Sequence, residues 1–413
     1  MSRNYDILII GGGAAGFFTA INAAEMNLNF KIAILERGKE VLTKVRISGG
    51  GRCNVTHAEF IPKELSKNYP RGEKELLGPF HNFMTGDTIE WFEKRGVALK
   101  IEEDGRMFPE TDNSQTIINC FLNETKRLGI DVLMNHSVQE VVNENAFWKV
   151  ETTQEAFQAK SLVIATGSNP KIWKLLEGLG HTIVPPVPSL FTFNIKDNRI
   201  VDLPGVSTNA TLKIKSTLSP LGGAGGGLES EGPLLITHWG LSGPAILKLS
   251  AWGARELNKL DYKFTLQVNW LEYQSFDETL EQLKEIKNGN GKQLVAKYPQ
   301  FELPKRLWQS LVNAVGIDLE TKWTEINKNQ LQNLANQLTQ TQFEVNGKST
   351  FKEEFVTAGG VELKEINFKT FESKIHKNLY LAGEVLNIDA ITGGFNFQNC
   401  WTGGVLVARA ISE

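Results

Sequence analysis

Three glycines, Gly11, Gly13 and Gly16, follow the apolar run at residues 7–10 without a spacer, and Glu36 stands 20 positions beyond the last of them. Residue types in that order can hold a dinucleotide. Gly11 permits a tight turn, Gly13 lets the backbone approach a pyrophosphate, and Gly16 lets a helix pack closely on a sheet. Ala14 and Ala15 open that helix, whose free N–H groups and positive dipole end would face the phosphates. Glu36, with Arg37 behind it, ends a second apolar run, where a carboxylate accepts hydrogen bonds from an adenosine ribose. Residues 5–36 therefore read as strand, glycine turn, helix and strand. A glycine turn serving only packing would not need the second strand and the acid.

Several further segments look aimed at the same ligand. Ser48, Gly49, Gly50, Gly51, Arg52, Cys53 and Asn54 offer a row of backbone N–H groups, a hydroxyl and a guanidinium for phosphate or the polar edge of a ring. Ala165, Thr166 and Gly167 end one buried strand, and Gly383 with Glu384 ends another, on the side of a sheet where ligands bind. Gly394, Phe395, Asn396, Phe397 and Gln398 lead into the last helix, whose N–H groups suit the pyrimidine edge of a flavin. Each glycine alone reads equally well as an ordinary turn. The set suits an extended cofactor with a large ring better than a small nucleotide. The glycines at 222–227 are different: no buried strand leads into them, and Glu229 and Glu231 would repel phosphate. They read as a mobile hairpin or lid loop, which leaves one dinucleotide site in the chain.

The positioning elements follow from pattern. A chain of 413 residues exceeds one ordinary core, so two or three domains are expected. Asp87 and Glu90 resemble a capping box, with Gly96 as stop; a second helix runs from Ser114 to Leu128 with Gly129 as stop. Strands are expected at 131–134, 138–142, 147–151 and 161–167. Prolines within 181–191 mark the crossing out of the nucleotide domain. Alternating patterns over 190–275 indicate a β-rich insert, with a helix opening at Pro244. Residues 277–339 carry three helical stripes that read as core. The fold class is α/β: a discontinuous nucleotide domain at 1–188 and 345–413, an inserted β-rich domain at 189–276 and 340–344, and a small helical domain at 277–339.

Composition narrows the function classes. With 44 Lys and Arg against 47 Asp and Glu, the net charge of −3 argues against a general nucleic-acid binder. Three isolated cysteines and no CxxC pair speak against a dithiol centre, a zinc site or a disulfide scaffold, and suit a reducing cytoplasm. No metal site, membrane span or signal peptide is expected. Acid–base candidates are few. His57 and His238 lie in loops where an imidazole could shuttle protons, although a histidine bonded to a loop carbonyl is the commoner arrangement. Cys53 suits packing better than thiol chemistry, and Glu384 and Asp389 either touch the cofactor or brace its loop. No catalytic residue is assigned.

The glycine turn with Glu36, SGGGRCNVT at 48–56, THWGLSGPA at 237–245, VTAGGVEL at 356–363 and LYLAGEVLNIDAITGGFNFQ at 379–398 together resemble the BaiN/YhiN-like family. These are FAD-dependent flavoproteins that include aminoacetone-oxidase-like members, and the resemblance spans essentially the whole chain. It implies FAD extended across a Rossmann domain, with an inserted barrel-like domain and a helical domain. By motif, Gly11 to Gly16 would hold the pyrophosphate and Glu36 the ribose. Lys44 and Ser48 to Asn54 would line the stretch towards the flavin. Gly383, Glu384 and Gly394 to Gln398 would sit near the ribityl chain and ring, and Val138 would offer an adenine backbone contact. The implied activity is hydride exchange with a small organic substrate, by amine oxidation or enone-type reduction, with NAD(P)H as a transient donor or oxygen as acceptor. A flavin-dependent RNA-modification factor and a non-catalytic FAD-binding redox protein are the alternatives.

Overall fold

The computed structural model describes residues 2–144, 147–215, 228–349 and 356–413. It resolves into two compact units, Met1–Val187 with Lys352–Glu413, and Pro188–Phe351.

The first unit is built on a parallel sheet. β1 (Arg3–Ile10), α1 (Ala14–Met26) and β2 (Ile32–Leu35) form the opening βαβ unit. The parallel strands lie in the order Leu379–Leu381, Ala156–Ile164, β1, β2, Asp131–Leu133, with Tyr380 opposite Val163, Leu8 opposite Leu162, and Ile7 opposite Ile32. Ile7 to Ile10, Ile32 to Leu35 and Leu162 to Ile164 are buried on both faces, which is why these runs are continuously apolar rather than alternating. Val138–Asn143 and Trp148–Thr152 add an antiparallel meander to the first half of Ala156–Ile164. α1 packs along the closing helix, Phe395–Ser412. A Cβ on Gly404 would lie 3.2 Å from the Thr19 nitrogen, and one on Gly383 would touch both Ala15 and Cys400. Residues 15 and 19 of one helix thus match 400 and 404 of the other. The two helices run parallel, with their N-termini at the same end.

Two local expectations are revised here. The capping role falls one turn earlier: Asp87 is the third residue of helix Thr85–Glu93, and its carboxylate accepts the Met84 N–H at 2.8 Å. The proline-rich stretch is not a bare crossing, because Ile183–Ser189 forms a strand paired with Val356–Val361. In a two-stranded ribbon each strand is an edge, so prolines are tolerated.

The second unit holds one antiparallel sheet in the order Thr341–Asn346, Lys263–Asn269, Ser207–Lys215, Glu229–Thr237, Gly240–Ser242, Thr192–Asn194, Lys348–Ser349. Helix Pro244–Trp252 opens at its proline as expected. Helices Phe276–Gly289, Lys305–Ala314 and Lys328–Thr339 place Leu283, Leu311 and Leu334 in the same apolar core as Leu212, Leu266 and Phe343 of the strands. The loop expected at 222–227 lies outside the described residues. No helix among the described residues is long and apolar enough to cross a membrane.

Candidate functional site

The candidate site is assembled at the C-terminal ends of the parallel strands. Gly11 donates its N–H to Leu35 O at 2.9 Å, Ala165 donates to Ile10 O at 2.8 Å, and Ala382 donates to Ile164 O at 3.0 Å. Those bonds draw the Gly11 turn and the strand ends at 165–167 and 383–384 into one rim. A Cβ on Gly16 would sit 2.1 Å from Gly11 O, so the first turn of α1 closes onto the strand only because residue 16 has no side chain. Gly13 has open space where a Cβ would stand, and no side chain caps α1. The open side at Gly13 and the uncapped first turn of α1, led by Ala14, form a cradle suited to a phosphate, while the Ala15 N–H lies against the Cys400 sulfur.

Glu36 is held rigidly at the tip of β2. One carboxylate oxygen accepts the Gly12 N–H at 3.0 Å, the other accepts the Gly38 N–H at 2.7 Å. Each oxygen keeps a second lone pair, enough to receive a vicinal diol. The Glu36 carbonyl accepts the His136 N–H at 2.9 Å, which brings Val138, two residues on and buried at the head of the meander, to the same end of the sheet. Arg37 is exposed beside it. An uncapped helix end, an open glycine and a braced acid fit the pyrophosphate and ribose of FAD.

The stretch expected to be a loop from Lys44 is helical at first: a helix starts at Thr43 and breaks at Ser48, Gly49 and Gly50. The break puts Gly49 and Gly50 at positive φ, and open space lies where a Cβ would stand on Gly50 or Gly51. The Ser48 hydroxyl donates to Val45 O at 3.1 Å. Arg52 packs its guanidinium 3.9 Å from the Phe108 ring centre and pairs with Glu102 and Asp112. What these two residues can lend a ligand is their backbone. Lys44 forms an ion pair with Glu384, whose carboxylate also lies beside Gly167. Burial works against the Lys44 charge, but the Glu384 carboxylate more than offsets it, and its pKa is raised. Cys53 is buried, which pushes its thiol up to about 12. Burial, followed by the Glu384 carboxylate, pushes the Cys400 thiol up to about 12 as well. Neither is a thiolate near neutrality.

The glycine loop is tied to the start of the closing helix. The Asn54 side chain accepts the Gly394 N–H at 3.0 Å and donates to Thr56 O at 3.0 Å. A Cβ on Gly394 would collide with Thr56 O at 2.5 Å. His57 Nδ1 lies 3.1 Å from Gly393 O, and its ring stacks on Phe395 with centroids 4.5 Å apart. Burial lowers the His57 pKa, although the Gly393 carbonyl acts to raise it, and the ring is bonded to a loop carbonyl. His238 is exposed in the second unit.

Other expected contacts turn inward. Gln398 is fully buried, with its amide spent on Thr56, Thr88 and Thr402. Buried Asp389 pairs with Arg71 through two hydrogen bonds. Asn396 closes a ring with Ala390, accepting its N–H at 3.0 Å, and Phe397 stacks on Trp401. Tyr69 donates to Phe395 O at 2.6 Å. Sequence reading missed Arg71, Tyr69, Gly12 and Gly38. Gly12 stood in the glycine run, whereas Arg71 and Tyr69 find partners more than 300 positions away and carry no local signal.

A Ribosomal RNA dihydrouridine synthase of Haemophilus influenzae is 28% identical over 428 residues, covering 100% of both chains. A 3-dehydro-bile acid delta(4,6)-reductase of Clostridium scindens is 27% identical, covering 98% of each. Among solved structures, a 3-ketosteroid-delta4-(5alpha)-dehydrogenase of Rhodococcus jostii shares the fold with a TM-score of 0.52 at 12% identity, over 100% of this chain and 97% of its own. The HI0933-like protein Rossmann domain matches residues 5–410. The chain belongs to the HI0933-like Rossmann family, whose members are FAD-dependent oxidoreductases.

Proposed function

We propose that this protein reduces a carbon–carbon double bond conjugated to a carbonyl. The observation that carries the reading is the single rim holding the open Gly13 cradle and the braced Glu36. Bound FAD supplies the hydride chemistry. The protein's own part is to bind and to orient. The first turn of α1, led by the Ala14 N–H, would take the pyrophosphate, and Glu36 would take the ribose. The start of the closing helix, fixed by Asn54 through Gly394, offers N–H groups and a positive dipole end to a ring edge that gains negative charge. Two whole-length relatives support the reaction type. Forming dihydrouridine and reducing a delta(4,6) unsaturation both add hydrogen across a conjugated double bond.

NAD(P)H is the proposed donor, bound transiently because the described residues hold one dinucleotide rim. Three unpaired thiols suit a reducing cytosol. Anaerobic stopped-flow reduction with NADH and NADPH, then reoxidation by a uridine-containing RNA or a steroid enone, tests the proposal. Reoxidation by either substrate supports it. Flavin reduced only by amines, and reoxidised only by oxygen, overturns it in favour of amine oxidation.

A further inference from the structure

His57 has no part in the proposed hydride chemistry, yet it reaches the start of the closing helix. It ends a two-residue strand, Thr56–His57, and pairs opposite Arg106. A carbonyl oxygen carries no hydrogen, so the 3.1 Å contact at Gly393 O makes His57 Nδ1 the donor. The same peptide is gripped at its other end, where the Asn54 side chain accepts the Gly394 N–H at 3.0 Å. Gly393 and Gly394 have φ of +133° and +95°, so that peptide has no side chain of its own to restrain it. The His57 ring has little room to turn. It stacks on Phe395 with centroids 4.5 Å apart, and a Cβ on Gly105 would lie 2.6 Å from its Nε2.

The next two carbonyls of this turn are also engaged. Gly394 O accepts the Gln398 N–H at 3.1 Å, and Phe395 O accepts the Tyr69 hydroxyl at 2.6 Å. The N–H groups of Phe395, Asn396 and Phe397 precede the Gln398 rung, and no side chain caps the helix. A rotated 393–394 peptide would re-aim those three N–H groups, because it fixes where the helix begins. The geometry points to His57 as a positioning residue for the flavin. By holding Gly393 O it aims the first-turn N–H groups of the closing helix at the ring edge that gains negative charge on reduction. This rests on the reading that the helix start faces that edge, and it names the side chain that sets the aim.

The test measures the midpoint potential of the bound flavin in the FAD-loaded protein, against a reference dye. His57→Phe keeps a ring on Phe395 but has no donor, so the potential shifts downward. The shift corresponds to reduced flavin held roughly two- to thirtyfold less tightly, relative to oxidised flavin, than in wild type. His57→Asn restores an N–H donor and returns the potential towards the wild-type value. A wild-type potential in His57→Phe overturns the assignment, as does a lowered potential that His57→Asn fails to restore. Nitrogen-15 histidine spectra of the wild-type holoprotein keep the test open should His57→Phe unfold. His57 as the Nδ1–H tautomer supports the grip, and the Nε2–H tautomer overturns it. Enone or uridine reduction with an unshifted potential in His57→Phe sinks the positioning role and keeps the reductase. A potential shifted and restored as described, with no enone or uridine reduction by wild type, does the reverse.

Discussion

The Thr56 hydroxyl donates to Oε1 of Gln398 at 2.6 Å, joining residues 342 positions apart. Thr88 donates to the same oxygen at 3.0 Å, and the Gln398 amide nitrogen donates to Thr402 at 3.2 Å. One buried amide therefore locks the chain beyond the glycine loop, helix Thr85–Glu93 and the closing helix together. In a low-dielectric interior such a network is strong when complete and costly when one member is removed.

Gln398→Leu keeps most of the volume but strands the Thr56 and Thr88 hydroxyls. Each buried unsatisfied group costs about 1–3 kcal/mol, and a loss of about 2–6 kcal/mol in total is expected. Urea unfolding checks this. A midpoint equal to wild type would show that the network adds nothing.

Glu36→Ala removes the acceptor for two backbone N–H groups and the proposed ribose contact. Hydrogen bonds to a charged group contribute about 1.5–3 kcal/mol, so FAD affinity should fall at least about tenfold. Titration of the apoprotein with FAD measures it, and unchanged affinity would remove Glu36 from the site.

Gly16→Ala puts a methyl group 2.1 Å from Gly11 O. The turn must open, at a cost of about 1–3 kcal/mol, and the cradle opens with it. The expected outcome is a lower Tm together with poor FAD retention. A variant that holds FAD normally would show that the turn tolerates a side chain.

Acid sensitivity should centre on His181. Ser373 accepts N–H groups from Ile375 and His376, both at 3.0 Å, so its own hydrogen goes to His181 Nε2, also 3.0 Å away. Nδ1 then carries the imidazole proton and donates to Glu365 at 2.8 Å. Burial holds the His181 pKa below its usual value, although Glu365 acts to raise it; His376 adds to the lowering. The unfolded chain therefore binds a proton at higher pH than the folded one. Stability is flat above neutrality and falls as pH drops below about 6.5, the unfolded value. Glu365, whose own pKa is lowered in the fold, adds its loss only further into acid. Chemical unfolding between pH 5 and 8 should show this slope, and His181→Gln should reduce it, leaving the part contributed by His57, whose pKa burial also lowers. A wild-type profile level across that range would refute the assignment.

Much of the first unit was legible in sequence because its signals are local. The run at 7–10, the glycine turn and Glu36 lie within one βαβ unit, where backbone sterics and burial on both faces leave few alternatives. The strands at 138–142 and 147–151 and the helix from Ser114 follow from period and stop residues alone. Direction of side chains was not legible in the same way. Gln398, Asp389 and Asn396 sit in glycine-rich motifs that suggested ligand contact, yet they turn to Thr56, Arg71 and Ala390. The helix at Thr43 was hidden for a related reason: three glycines masked a short helix that breaks only at Ser48.

By itself, the sequence determined where the dinucleotide turn lies and which carboxylate ends the second strand, since spacing within a βαβ unit leaves little freedom. Only the tertiary structure decided which polar residues face a ligand and which brace the rim. That choice depends on partners hundreds of positions away, brought near by the parallel packing of α1 on the closing helix, and no local pattern encodes it.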